Sequence, residues 1–274
     1  LPGTQTIFWL TIMLLAIDIG NTSINLGVFD GDQLKVTWRL ATGIHQQADE
    51  YGALLLNLLQ HQKLPLAKIT GVALCSVVPP LVSTFQELCQ KYLNTTPLVV
   101  EAGRKTGIRI CMDNPREVGP DRVVNAVAAH QLYGGPIIII DLGTATTFDV
   151  VSKEGDYLGG AIAPGITIAS EALFARTAML PRIELTPPKQ VIGRNTISAM
   201  QSGIMFGYIG LIEGMIQRIE RELGNKAKVV ATGGFANLAQ EIPAIDIVNL
   251  DLPLIGLSLI YDMNICPKGQ NEEN

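Results

Sequence analysis

The pattern of apolar and polar positions predicts that the chain has two halves, each with strands followed by interspersed helices and strands. The first half begins with a buried strand at residues 14–19, followed by a hairpin of strands 24–30 and 33–40 around the turn FDGDQ. Apolar residues at helical spacing predict a helix at residues 46–62. A strand at ITGVALCSVVPP, a helix at LVSTFQELCQKYL and a short strand at PLVVE follow. A helix at residues 121–133 then leads into the second half.

The second half repeats the same opening. A strand at residues 137–141 precedes a hairpin through SKEGDY and a loop at GGAIAPG. The remaining predicted elements are helix 166–179, loop 187–195, helix 196–223, a strand at AKVVATGGFA, helix 235–241, strand 245–248 and helix 254–264. We therefore predict an α/β protein with two duplicated domains, residues 13–120 and 121–274. A cleft between such halves is a common ligand site.

The first twelve residues precede Met13 and lie ahead of the repeated pattern. The apolar run IFWLTIMLLAI has 11 residues, and a helix needs about 20 apolar residues to span a bilayer. The run has no basic region before it, which argues against a signal peptide. We interpret residues 1–12 as an N-terminal extension or a remnant of cloning, and we expect no membrane association.

The net charge and the cysteines indicate which partners and which cellular compartment to expect. The formal net charge is −5 and no Lys/Arg-rich run occurs, so nucleic acid is not an expected partner. The four cysteines form no CxxC pair. Reduced cysteines in a cytoplasmic protein are therefore the favoured interpretation, ahead of a disulfide framework or a zinc site.

An acid and a glycine stand directly at the end of the first strand of each half. Asp18 and Gly20 do so in the first half, and Asp141 and Gly143 in the second. A strand end holds a carboxylate rigidly, and the glycine allows a tight turn whose N–H groups can donate to an oxyanion. Phosphate with Mg²⁺ suits such a turn, whereas one copy alone would suggest a turn with a solvated acid. The first copy adds the side-chain donors Asn21, Thr22 and Ser23.

A third glycine-marked strand end, VVATGGFA, presents Thr232, Gly233 and Gly234 before a helix. Because the two glycines have no side chains, a flat group such as a nucleoside could lie directly against the backbone there. No GxxxxGK[ST] and no GxGxxG after a strand occur, so the P-loop and the dinucleotide fingerprint are absent. In this order, the three elements resemble the two phosphate motifs and the adenosine motif of the actin, hexokinase and Hsp70 superfamily, which implies actin-like, ribonuclease-H-like domains.

The segment DNPREVGPDRVVNAVAAH joins the halves and places Asp121 and Arg122 at a helix start. A kinase acting on a hydroxyl needs a carboxylate near that hydroxyl, and helix N–H groups favour an anionic substrate. The alternative interpretation is that Asp121 caps the helix while Arg122 pairs at the surface.

Five motifs in order, DIGNT, NPREVGPDR, DLGTATT, GGAIAPG and GRNTISAMQSG, closely resemble type III pantothenate kinase. The resemblance covers the chain from Met13 to about residue 262. It implies transfer of a phosphoryl group from ATP to pantothenate, giving 4′-phosphopantothenate in the first step of coenzyme A biosynthesis. It also implies Mg²⁺ with the ATP, a monovalent cation, K⁺ or NH₄⁺, and a homodimer.

The resemblance assigns roles to individual residues. Asp121 would be the general base, Asp18 would bind Mg²⁺, and Asp141 would bind the monovalent cation. Contacts to ATP would come from Asp18, Gly20, Asn21, Thr22, Ser23, Asn25, Thr144, Gly233 and Gly234. Contacts to pantothenate would come from Met112, Gly119, Pro120, Asp121, Arg122 and Thr196, the last from the partner subunit or across the cleft.

The chain departs from the family pattern at two positions. Met112 stands where the family commonly has a tyrosine that touches substrate, so one hydroxyl contact is lost. Pro120 stands where a small residue is common, and proline suits the first turn of a helix. Two alternatives to the kinase stay open: a non-enzymatic regulatory relative of the same fold, and another small-molecule kinase of the superfamily.

Overall fold

The computed structural model describes residues 13–265. The chain folds into two compact units, which divide between Lys105 and Thr106. The first unit comprises the described residues up to Lys105 and those from Leu257 on, and the second comprises Thr106–Gly256. These units differ from the predicted division at residue 120, because residues 106–120 belong with the second sheet and the last helix returns to the first unit. The predicted extension, residues 1–12, lies outside the described residues.

The first unit is built on a buried central strand. Its elements are β1 (Met13–Ile19), β2 (Ser23–Asp30), β3 (Gln33–Ala41), α1 (Ala48–His61), β4 (Ile69–Ser76), α2 (Pro79–Leu93) and β5 (Leu98–Val99). Every residue of β1 is buried, because β1 lies between β2 and β4 in the sheet. The helices pack on this sheet through apolar side chains at helical spacing, such as Tyr51, Leu55 and Leu59 of α1. Helix α2 begins earlier than predicted, at the two prolines, because proline is favoured in the first helical turn.

The second unit contains a larger sheet and the longest helix. Its elements are β6 (Arg109–Ile110), α3 (Pro120–Tyr133), β7 (Ile137–Leu142), β8 (Ala145–Val151), β9 (Asp156–Pro164), α4 (Ile166–Arg176), α5 (Thr196–Leu223), β10 (Lys228–Thr232), β11 (Ile247–Val248) and α6 (Leu252–Ile265), which runs on into the first unit. The core contains Ile138 and Ile140 of β7, Phe148 of β8 and Ile212 of α5.

The two sheets have the same topology. The first has the order β3-β2-β1-β4-β5, and the second contains β9-β8-β7-β10-β11, with β6 added beside β9. In each, the first three strands form an antiparallel meander and the next two run parallel to the first strand. This repetition confirms the predicted α/β class with two duplicated halves, and it agrees with the ribonuclease-H-like domains that the resemblance implies.

Two local predictions in the second unit were wrong. The segment GGAIAPG is not a loop, since most of it forms the end of β9 and pairs with β8 from Gly159 to Pro164. Its glycines are there because neighbouring groups occupy the space of a side chain: a Cβ at Gly160 would collide with the carbonyl oxygen of Phe148. The predicted helix at 235–241 is a short 3₁₀ turn, Ala236–Glu241. Over residues 13–265, none of the helices has the length and apolar character needed to cross a membrane.

Candidate functional site

The first acidic turn lies at the end of β1. Asp18 is only 9% exposed, and its Oδ2 accepts a hydrogen bond of 3.0 Å from the Asn25 side chain on the neighbouring strand. The backbone N–H of Gly20 donates to the Ser23 carbonyl at 2.9 Å, which closes the turn. Asn21 and Thr22 are exposed at its tip. The predicted phosphate-loop residues are therefore brought together, with the carboxylate fixed below an open turn.

A segment after β3, not singled out from the sequence, braces this turn. The Thr42 hydroxyl donates to the Gly20 carbonyl at 2.7 Å, and the Thr42 N–H donates to the Thr22 carbonyl at 3.1 Å. The Tyr51 hydroxyl on α1 in turn accepts from the Gly43 N–H at 2.9 Å. The only sequence signal was a polar residue directly after an alternating strand.

The second acidic turn lies at the end of β7 and is held by a helix. The Asn125 side-chain N–H of α3 donates to Asp141 Oδ2 at 3.3 Å. Asn125 is 2% exposed and Thr232, which pairs with Asp141 across the sheet, is 1% exposed. Within the described residues, Asn125 Oδ1 and Thr232 Oγ1 are buried without a hydrogen-bond partner. Two unpartnered oxygens thus belong to residues that contact or pair with the second carboxylate.

Backbone packs closely around the second turn. Gly233 has a φ of +94°, and a Cβ there would collide with Asp141 Oδ1 and lie 2.7 Å from the Leu142 nitrogen. A Cβ at Gly165 would collide with the carbonyl oxygens of Gly143 and Thr144. Thr144 itself is exposed, as is Gly234. The predicted ATP contacts of this unit, Thr144, Gly233 and Gly234, are therefore brought together around Asp141.

The predicted base lies in the first turn of α3. Gly119 is the N-cap, Pro120 is the first helical residue, and Asp121 Oδ1 accepts from the Arg122 N–H at 2.9 Å. Burial raises the pKa of the Asp121 carboxyl above its usual value, although that N–H opposes the shift and favours the charged form. A carboxylate with a raised pKa is better suited to accept a proton near neutral pH.

Arg122 is not a surface residue, so the part of the alternative interpretation that paired it at the surface is wrong. Its side chain is 12% exposed and forms an ion pair with Asp149 of β8, which is fully buried. The Arg122 Nε–H donates to Asp149 Oδ1 at 2.7 Å. Met112 lies nearby, since a Cβ at Gly159 would approach its sulfur to 3.0 Å, and one at Gly160 would approach Arg122 Nη2 to 3.2 Å. Sequence reasoning missed Asp149, although an acid inside the apolar run TTFDVV was a signal.

Thr196 lies elsewhere in the second unit. It is the first residue of α5, whose N-cap Asn195 accepts from the Ser198 N–H at 2.8 Å. It lines a cavity of about 680 Å³ together with residues of α4 and α5 such as Leu173, Met200 and Ile204. No residue of either acidic turn or of the α3 start lines this cavity in the described part of the chain. Among the described residues, Thr196 therefore shares this cavity with none of the other predicted pantothenate contacts.

The sequence comparisons with known proteins identify one family. The family model for type III pantothenate kinase matches residues 14–218. A type III pantothenate kinase from Dehalococcoides mccartyi is 56% identical over 255 residues, which cover 93% of this chain and 97% of the relative.

Two solved structures share the fold at low identity. A Campylobacter jejuni protein, provisionally described as a conserved Baf family transcriptional activator, aligns with a TM-score of 0.59 and 21% identity over 92% of this chain and 98% of its own. A Sinorhizobium meliloti protein, provisionally described as a 2-dehydro-3-deoxygalactonokinase, aligns with a TM-score of 0.56 and 14% identity over 95% and 99%. At such identities the likeness concerns the fold alone.

Proposed function

Because the chain belongs to the type III pantothenate kinase family, we propose that it phosphorylates pantothenate with ATP to give 4′-phosphopantothenate and ADP. This reaction is the first step of coenzyme A biosynthesis. The observation that carries the proposal is the family match over most of the chain together with an intact, half-buried Asp121 at the start of α3.

Asp121 acts as the general base in this proposal. The primary hydroxyl of pantothenate attacks the γ-phosphorus of ATP, its O–H proton passes to the Asp121 carboxylate, and ADP leaves. Phosphoryl transfer needs positioning and charge stabilisation more than a strong base. The raised pKa of Asp121, caused by its burial, nevertheless favours proton acceptance.

The kinase family uses ATP with a divalent metal, and the first acidic turn fits that role. Magnesium is commonly bound by one or two carboxylates together with substrate phosphates and waters. Asp18 offers one carboxylate anchored by Asn25, beside an open turn with exposed Asn21 and Thr22. Asp18 would hold the Mg²⁺, which neutralises charge on the transferred phosphoryl group. Gly20, Ser23 and the turn around them would bind the phosphate oxygens.

Asp141 holds the monovalent cation, K⁺ or NH₄⁺, in this proposal. The unpartnered oxygens of Asn125 and Thr232 support this role, because buried oxygens without donors are stabilised by a cation or water. Thr144, Gly233 and Gly234 would contact ATP from the same side of the second unit. The close backbone approach at Gly233 leaves no room for a side chain.

The α3 start binds pantothenate. Arg122 donates through Nε to Asp149, and its Nη2 lies at ion-pair distance from the same oxygen, so the N–H groups of Nη1 would serve a substrate carbonyl or carboxylate. Met112 would pack against the methyl groups of the substrate, and Gly119 with Pro120 would shape the turn beside it.

Thr196 contacts the pantothenate of a partner subunit, so the protein acts as a homodimer. Its cavity, which none of the other predicted pantothenate contacts lines in the described part of the chain, supports such a contribution. Exposed apolar side chains, which a second copy would cover, also occur in the segments that line this cavity: Ile168 at 43%, Met179 at 90%, Ile192 at 82% and Ile197 at 51% exposure. Cys75, Cys89 and Cys111 are in no disulfide among the described residues, which suits the reducing cytoplasm.

The test is to mix the protein with ATP, Mg²⁺ and K⁺, with and without pantothenate, and to follow ADP release and product mass. We expect ADP release that depends on pantothenate and a product heavier by one phosphoryl group. The Asp121→Asn variant should fold and lose at least about 10²-fold in kcat. Turnover indifferent to pantothenate, or folded wild-type protein without product, would contradict the proposal.

A further inference from the structure

A buried ion pair lies directly behind the proposed pantothenate contacts. Asp149 is fully buried and the Arg122 side chain is 12% exposed. The two are joined by Nε and Nη2 of the guanidinium, each 2.7 Å from Asp149 Oδ1. Placing two charges in a protein interior is costly, and an apolar pair of similar volume is often equally stable. Packing alone therefore does not explain why a carboxylate is found at this position.

Asp149 is held by groups on three elements. The Tyr157 hydroxyl of β9 donates to Asp149 Oδ1 at 2.5 Å, and the Thr147 hydroxyl of β8 donates to Oδ2 at 3.0 Å. Arg122 of α3 supplies the remaining donors. Because the carboxylate accepts bonds from such different directions, its orientation is fixed, and the guanidinium paired with it is fixed as well.

Neighbouring groups on β9 restrict the Arg122 guanidinium to the orientation in which it pairs with Asp149. The guanidinium carbon lies 5.9 Å from the centre of the Tyr157 ring, and a Cβ at Gly160 would approach Nη2 to 3.2 Å. The Arg122 side chain thus extends from the first turn of α3 towards β9, with one edge of its guanidinium directed to Asp149. The Nη1 group is the part of the fork that is not used by Asp149.

The charge of Asp149 also reaches the proposed base. Burial is the main cause of the raised pKa of Asp121, and the nearby Asp149 charge adds to the shift while the Arg122 charge opposes it. Asp149 therefore offsets a cation that would otherwise hold the base in its weaker, more acidic form.

We propose that Asp149 is a positioning residue for substrate binding: by fixing the Arg122 guanidinium, it aims the free Nη1 edge at pantothenate. Tyr157 and Thr147 support the carboxylate in that role. The inference rests on the proposed function, since it requires that Arg122 contacts pantothenate.

The test is a double-variant cycle with separate KM values for pantothenate and ATP. The variants are Asp149→Asn, Arg122→Gln and the two combined, and the combined variant leaves no uncompensated buried charge. We expect Asp149→Asn to raise the KM for pantothenate about tenfold, with the KM for ATP unchanged within about twofold. In the Arg122→Gln background, Asp149→Asn should add less than about twofold, because the two residues act through one contact.

A matched control is Asp156→Asn, which breaks an Arg–Asp pair that lies on the surface. Asp156 of β9 pairs with Arg109, whose side chain is 75% exposed. Both KM values of this variant should stay within about twofold of the wild type. Its thermal midpoint and that of each cycle variant would verify folding.

Removing the Asp149 charge leaves Arg122 buried and unpaired, so folding of that single variant is itself at risk. Tyr157→Phe provides the second test, because it removes one donor to Asp149 and keeps the ion pair. We expect it to raise the KM for pantothenate about threefold, again without a change for ATP.

The outcomes separate the two proposals. If the wild type makes no phosphopantothenate, the proposed function fails and this inference falls with it. If the wild type is active but folded Asp149→Asn and Tyr157→Phe keep the wild-type KM for pantothenate, only the positioning role is overturned. Equal effects of Asp149→Asn with and without Arg122 would also overturn it, because they would indicate a role independent of that residue.

Discussion

The two acidic turns share a sequence pattern and a position in their sheets, yet they are held in different ways. The Asp18 turn is open: its tip residues are exposed, and it is braced from outside by the Thr42 hydroxyl bound to Gly20. The backbone of the Asp141 turn is closely packed at Gly165 and Gly233, where a side chain would collide with the turn, although Thr144 at its tip is exposed. In the proposed function the first turn receives the phosphate and Mg²⁺, whereas the second holds a monovalent cation beside ATP. Duplicated topology does not by itself require duplicated function.

The largest contrast should come from neutralising each carboxylate. We expect Asp18→Asn to lower kcat by about 10²- to 10³-fold, because it removes the charge that, in the proposed function, holds the divalent ion beside the transferred phosphate. Asp141→Asn should lower kcat by about 10- to 100-fold, because it would weaken binding of the proposed monovalent cation while the phosphate contacts of the first turn stay. Steady-state kinetics at fixed Mg²⁺ and K⁺ measure both, and equal losses would remove the distinction between the turns.

Adding a methyl group should affect the second turn more than the first. Gly233→Ala combines a positive φ of +94° with a collision at Asp141, and we expect it to reduce the free energy of unfolding by about 2–4 kcal/mol. Gly20→Ala would bring a Cβ only to 3.1 Å from the Ser23 carbonyl oxygen, and we expect a loss below about 1.5 kcal/mol. Urea denaturation of both variants would check the order, and the reverse order would show that the second turn is not the more closely packed one.

Loosening the brace should weaken ATP binding moderately. Thr42→Val removes the 2.7 Å hydrogen bond to the Gly20 carbonyl, and we expect the KM for ATP to rise about fivefold at nearly unchanged KM for pantothenate. The matched control is Thr37→Val, which changes an exposed threonine of β3 and should leave both KM values unaltered. An unchanged KM for ATP in folded Thr42→Val would mean that the brace does not position the turn.

The smallest effect of the two acidic-turn variants should be on the pH profile, because the proposed proton acceptor is Asp121 and belongs to neither turn. Since burial raises the pKa of Asp121, the acid limb of kcat/KM should lie above the usual aspartate value of about 4. Activity falls as pH decreases through that pKa, because the protonated carboxyl cannot accept a proton. Asp18→Asn and Asp141→Asn should keep the limb within about 0.5 pH unit, whereas residual activity of Asp121→Asn should lack it.

Sequence patterns predicted the repeated strand, acid and glycine at Asp18 and Asp141 because these features are local. The long helix predicted at residues 196–223 has the same bounds in the structure, where Asn195 caps it. Residues that act through distant partners were not predicted. Thr42 reaches Gly20 across a hairpin, Asn125 reaches Asp141 from a helix, and Asp149 reaches Arg122 from another strand.

The glycines of β9 show a different kind of error, because a local glycine pattern predicted a loop where the structure has a strand. Gly159 and Gly160 are typical of a loop, but here a side chain at Gly159 would meet Met112, and one at Gly160 would meet the Phe148 carbonyl and Arg122. Only the packing of these neighbours around the paired strand β9 reveals that need. Glycine composition alone could not distinguish a flexible loop from a strand that accommodates neighbouring side chains.

The most direct measurement of the difference between the turns is a pair of ion titrations on wild type, Asp18→Asn and Asp141→Asn. Activity would be followed against Mg²⁺ at saturating K⁺, and against K⁺ at saturating Mg²⁺. We predict that Asp18→Asn raises the half-saturating Mg²⁺ concentration at least about tenfold and leaves that of K⁺ unchanged, with the converse for Asp141→Asn. Both variants shifting the same ion, or neither shifting any, would contradict the assignment of distinct roles to the two turns.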